Sequence, residues 1–151
     1  MSIHRASIEW KRNGQPFDLD KYSRAHRIEF EPPVALDGNA AVANLPPSAP
    51  HSPGADPEEL FVAAVSACHM LWFLSLASGR KLTVNRYEDD AEGVLEKNPE
   101  GRVAVTRVTL RPAIEFEHPP SAKILDELHH KAHEKCFIAN SVKTEILIEP
   151  R

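Results

Sequence analysis

Asp56-Pro57-Glu58-Glu59-Leu60-Phe61-Val62-Ala63-Ala64-Val65-Ser66-Ala67-Cys68, continued by His69-Met70-Leu71-Trp72-Phe73-Leu74-Ser75-Leu76-Ala77-Ser78-Gly79, is the stretch on which the fold turns. Asp56 suits a helix N-cap and Pro57 the first helical position. Glu59, three residues after Asp56, has capping-box spacing. The spacing predicts a helix from Pro57 to about Ser78, stopped at Gly79. From Leu60 to Ala77 it is apolar on nearly every side. Such a helix is either buried all round or spans a membrane. About eighteen residues is the lower edge of a span. Ser66, His69 and Ser75 within it, and Arg80-Lys81 directly after it, favour the buried, non-membrane reading. One sheet cannot cover every side of such a helix, so a second subunit is expected.

Residues 5–31, before the helix, read as two strands around an Asn13-Gly14 turn. In the second, Tyr22, Arg24, His26, Ile28 and Phe30 share a face, because strand side chains alternate. That face is apolar except for its arginine. Residues 32–57 hold seven prolines and read as a long loop, with one short strand near Asn39–Asn44. After the helix, 81–96 and 102–117 read as strands flanking an Asn98-Pro99-Glu100-Gly101 turn. In the latter, Ala104, Thr106, Val108, Leu110, Ile114 and Phe116 hold one phase. Pro119-Pro120-Ser121 opens a second helix ending near Lys135, with Leu125, Leu128 and Ala132 as its inner stripe and Cys136 four residues beyond. Val142, Thr144, Ile146 and Ile148 make a closing strand. The order β-β-(β)-α-β-β-α-β is an α+β pattern in a single domain, 1–151, with no internal repeat.

The 151 residues are 42% hydrophobic and 26% charged, with net charge −4 and no Lys/Arg block. A phosphate-neutralising face is therefore missing, and no nucleic-acid partner is expected. The N-terminal MSIHRASIEWKRNG carries charges where a signal peptide needs an apolar core, which points to the cytoplasm. In a reducing compartment the two cysteines, Cys68 and Cys136, are not structural staples by default. They are two buried small hydrophobes or a redox pair. Both point to the interior, where burial raises a thiol pKa and makes it inert. A neighbouring guanidinium would reverse that. Arg24 is the candidate, unless it snorkels to the surface. A buried Arg needs an anionic partner, and Glu58 in the first helical turn is the carboxylate at hand. Ten residues put Glu58 about 15 Å from Cys68 along the helix axis. If both serve one site, either the helix breaks or Glu58 comes from a second subunit.

The run from Asp56 to Cys68, and Lys135-Cys136-Phe137-Ile138-Ala139-Asn140-Ser141 after the late helix, resemble the signature of the OsmC/Ohr family of osmotically inducible and organic-hydroperoxide-resistance proteins. The resemblance extends from about Ile8 to Ile148. It implies an intertwined homodimer with long buried central helices and two active sites at the interface. It also implies thiol-dependent reduction of organic hydroperoxides. Carried over, Cys68 is peroxidatic and Cys136 resolves it as a Cys68–Cys136 disulfide. Glu58 is the carboxylate and Arg24 the arginine, with Arg27 in reserve on the polar face. A dithiol of the lipoyl type restores the thiols, and no cofactor is implied. The chain departs from the family at His69-Met70-Leu71-Trp72, and at Phe137, where proline is frequent. Two rival readings have their own residues. His129, His133 and Cys136 fall at i, i+4 and i+7, and with Cys68 would make a zinc set. Trp72, Phe73 and Leu74 would line a pocket for an apolar ligand between the helices.

Overall fold

In a computed structural model, residues 2–31 and 33–151 are described. The elements run β1 (Ala6–Glu9), β2 (His26–Phe30), β3 (Val34–Gly38), α1 (Pro57–Gly79), β4 (Val84–Asp89), β5 (Glu92–Lys97), β6 (Val103–Leu110), β7 (Pro112–Phe116), α2 (Ala122–Lys135) and β8 (Glu145–Ile148), with 3-10 turns at Val42–Asn44 and Ala139–Ser141. This is a mixed α+β fold. The chain divides into two compact units, Met1–Leu60 and Phe61–Arg151.

In the first unit, β1, β2 and β3 form an antiparallel sheet in sequence order. Ile8, Ile28 and Leu36 stand opposite one another, as do Ala6, Phe30 and Val34. Alternation puts all six on one face and the charged Glu9, Arg27, Glu29 and Asp37 on the other. On the apolar face Ile28 is buried, whereas Ile8, Phe30, Val34 and Leu36 are exposed. The early strand pair is as expected, but two boundaries differ. Residues 10–25 are irregular, so Arg24 does not belong to a strand. The third strand is Val34–Gly38 rather than Asn39–Asn44. Asn39 explains the shift. It is fully buried and its side-chain amide donates to Ser52 O at 2.6 Å. Gly38 bridges to Ala55 and ties down the proline-rich loop. A Cβ at Gly38 would overlap the His26 ring, which packs directly over the glycine.

α1 begins as expected. Asp56 Oδ1 accepts from Glu59 N–H at 2.7 Å, and Glu59 Oε2 accepts from Asp56 N–H at 3.1 Å, which is the reciprocal capping box. Its closure differs. Leu82 N–H donates to Ala77 O at 3.0 Å, and the left-handed residue of this closure is Lys81, at φ 59°, not Gly79. A side chain there is strained, so Lys81→Gly is expected to raise stability by up to about 1 kcal/mol, read from the urea unfolding midpoint.

The helix is also less covered within the chain than its composition suggests. Val65, His69, Phe73 and Ala77 form a single buried stripe. Its mean hydropathy, 2.0, and its length would suit a membrane span, yet only 22% of that apolar stretch is buried. The buried stripe is the core of the second unit. Phe73 and Ala77 pack with Leu128 and Ala132 of α2. Val65 packs with Val108 and Leu110 of β6. The two long strands expected after α1 are each broken into two. β5 and β6 form the hairpin, closed by Asn98 Oδ1 accepting from Glu100 N–H and Arg102 N–H, with Gly101 at φ 77°. β4 pairs with β7, and β8 adds parallel to β6. The break between β6 and β7 follows from Pro112, which has no N–H for a ladder, and from Asp89 Oδ1 capturing Arg111 N–H at 2.6 Å. α2 is capped by Ser121 and stops at Cys136.

Candidate functional site

Cys68 comes from the middle of α1 and Cys136 from the cap position after α2, both in the second unit. Cys68 lies close enough to Cys136 to help raise its pKa, and both cysteines are free. They differ in setting. Cys136 is 1% exposed, and burial pushes its pKa up to about 11. Ala139 N–H, donating to Sγ at 3.4 Å, only partly offsets this. Cys136 is therefore a neutral thiol at pH 7. Cys68 is half-buried and is the one of the two that a reactant can approach.

Arg24 and Glu58 belong to the first unit, where both line a cavity of about 480 Å³ walled by Ile8, Trp10, Phe17, Tyr22 and His26. Three aromatic contacts hold that wall together: Trp10–Phe17, Trp10–Tyr22 and Phe17–Tyr22, with ring centroids 4.9–5.9 Å apart. Strand alternation was the expected reason for Arg24 facing the apolar side, and it does not apply. Its guanidinium donates instead to Tyr22 O and Leu19 O, and it lies 3.9 Å from the Tyr22 ring centroid. Among the described residues it has no carboxylate partner. Arg27, the reserve candidate, is engaged on the charged sheet face with Asp37 at 3.1 Å and Glu29 at 3.8 Å. α1 is unbroken between Glu58 and Cys68.

The zinc set does not form. Among the described residues no group of three or more His, Cys, Asp or Glu side chains could hold a metal ion. His129 turns instead to His69. His69 Nε2 and His129 Nδ1 are 3.2 Å apart, one donating to the other, with the rings nearly parallel. Burial lowers both pKa values to about 4. For His69, the charges that His129 and His133 would carry lower it further. For His129, Asp126 and Asp89 act against the burial. Both rings are neutral at pH 7. This buried pair was not read from the sequence, although His69 stands four residues after Val65 and four before Phe73 on the helix. Phe73 is likewise core rather than pocket wall, being fully buried and tilted against His129 at 4.6 Å.

The element order, with Cys68 within α1 and Cys136 at the end of α2, sets the frame for comparison. A family model for OsmC-like proteins matches residues 49–151. The chain belongs to the OsmC-like family. Its structure superposes on an OsmC-like protein of unknown function from Vibrio cholerae O1 biovar eltor with a TM-score of 0.94, at 44% identity over 100% of both chains. The organic hydroperoxide resistance protein OhrB of Bacillus subtilis shares the fold, with a TM-score of 0.72 at 20% identity over 99% of this chain and 98% of the other. So does an OsmC-like protein from Mycoplasma pneumoniae, at 0.76 and 14% over 99% and 96%. No curated protein matches the chain.

Proposed function

We propose that the chain is a thiol peroxidase that reduces organic hydroperoxides. The observation that carries the reading is the interacting Cys68–Cys136 pair, with its asymmetric burial. The accessible Cys68 thiolate attacks the terminal peroxide oxygen, the O–O bond breaks, and the alcohol leaves. Cys68 is then a sulfenic acid. Cys136 attacks its sulfur, water departs, and a Cys68–Cys136 disulfide remains. A dithiol of the lipoyl type reduces the disulfide by exchange. A thiol pair that cycles in this way suits the reducing cytosol.

The reading includes a homodimer. α1 presents Ala63, Ala67 and Leu71 to solvent at i, i+4 and i+8, with Leu71 63% exposed. The first unit's sheet leaves its apolar face open as well. Two uncovered apolar faces on one chain are explained by a second copy. With α1 unbroken, a second copy is also what would bring Arg24 and Glu58 to Cys68. The guanidinium would then favour the thiolate and the carboxylate would orient the guanidinium.

The test is mass spectrometry of the reduced protein titrated with one equivalent of cumene hydroperoxide. The expected product has lost two hydrogens and digests to a Cys68–Cys136 cross-linked peptide. A thiol pair that stays reduced would rule the peroxidase out. The hydroperoxide resistance protein of Bacillus subtilis makes organic peroxides the class to try first.

A further inference from the structure

Three consecutive residues at the end of α2 divide between two residues of α1. The middle one, Cys136, faces Cys68. Its two neighbours both reach Trp72. The Phe137 ring meets the indole edge-on, with centroids 5.4 Å apart at 86°. The Lys135 ammonium stands 5.3 Å from the same ring centroid. Trp72 follows Cys68 at i+4, one turn on along the same helix face. The grip therefore lies beside the thiols.

Phe137 is 68% exposed, and Trp72 is its ring partner. The turn behind it is braced mainly against itself. Asn140 donates from its side-chain amide to Glu134 O at 2.8 Å, and Ser141 Oγ donates to Phe137 O at 2.7 Å. Ile138 fixes the far side of the turn in the core with Val65. On the thiol side, two contacts to Trp72 tie the turn to α1.

We propose that Trp72, gripped by Lys135 and Phe137, is a positioning clasp that holds Cys136 against Cys68 while their disulfide forms and reopens. The proposal rests on the peroxidase reading for its physiological setting. Resolution joins the Cys68 sulfenic acid and the Cys136 thiol into a disulfide, and the sulfenic oxygen leaves as water with the thiol proton. The competing step is attack of the sulfenate on a second hydroperoxide, which gives the Cys68 sulfinate and one alcohol. A loosened clasp slows the first step and leaves the second alone.

Lys135 and Phe137 are both exposed, so changing them spares the core. The protein, Phe137→Ala and Lys135→Ala/Phe137→Ala are equilibrated with glutathione redox buffers, and the disulfide fraction is read by mass spectrometry. An aromatic pair and a cation–π contact of ordinary strength together predict a fall of about five- to tenfold in the effective concentration of Cys136 toward Cys68 in the double variant. Lys135→Arg/Phe137→Tyr should keep the wild-type value. An unchanged equilibrium in the double variant overturns the clasp, and so does a fall that the conservative pair also shows.

Excess cumene hydroperoxide provides a second readout. The double variant should lose more Cys68 to sulfinate per turnover, with an unchanged rate of first oxidation. Equal sulfinate yields would overturn the clasp. If no form of the protein is oxidised by hydroperoxide and the glutathione equilibrium still shifts, the peroxidase reading fails. The clasp then stands as a redox-positioning device.

Discussion

Cys68→Ser is expected to reduce hydroperoxide consumption to the uncatalysed background, measured by peroxide loss with dihydrolipoamide as reductant. Serine keeps the shape of the site but removes the sulfur nucleophile to which the proposed function assigns O–O cleavage. Cys136 does not substitute, because burial holds its thiol protonated up to about pH 11. Cys136→Ser should behave differently. It leaves the first oxidation intact and stops at a Cys68 sulfenic acid that dimedone traps. On the proposed dimer, Arg24→Ala should lie between these, oxidising at neutral pH but more slowly. Retained turnover in Cys68→Ser would mean that the chemistry lies elsewhere in the chain.

Acidification is expected to destabilise the fold steeply through His69 and His129. Each has a pKa near 4 in the folded chain, against 6.5 when unfolded. The unfolded chain therefore binds more protons between these values, and stability falls as pH falls. The contribution is complete above pH 6.5, declines below it, and is gone below about pH 4. A shift of this size corresponds to about 3 kcal/mol for one such histidine, a large part of an ordinary domain's stability. The proton has nowhere favourable to go, since His69 Nδ1 and His129 Nε2 are buried without hydrogen-bond partners. Urea midpoints between pH 7.5 and 4.5 give the slope. A flat profile, or one unchanged in His129→Leu, would show that the pair is not its source.

The parts of the fold legible in the sequence are those set by contacts within a few residues. The α1 start followed from Asp56, Pro57 and Glu59, and the α2 start from Ser121. The Asn98–Gly101 turn is of the same kind. So are the positions of both cysteines relative to their helices. The α1 end at Gly79 was legible too, but not the residue that closes it: glycine is the usual left-handed residue, whereas here Lys81 takes that conformation. The third strand was misplaced because Asn39 is held by Ser52, thirteen residues away.

The candidate site divides the same way. That Cys68 and Cys136 are the residues of interest, and that the chain belongs with the OsmC-like proteins, follows from the sequence, since a motif of residue types at fixed spacing is a local property. Tertiary packing decided the rest. It buries Cys136 more than Cys68 and so separates a protonated thiol from an approachable one. It turns His129 away from a metal set and onto His69. It orients Arg24 through the carbonyls of Leu19 and Tyr22 rather than through strand alternation. It also brings Lys135 and Phe137 to Trp72. Apart from Arg24, whose carbonyl partners lie two and five residues away, these features depend on desolvation or on contact between residues distant in the chain. Both arise when the α1 stripe from Val65 to Ala77 meets Leu128 and Ala132 of α2 and Val108 and Leu110 of β6.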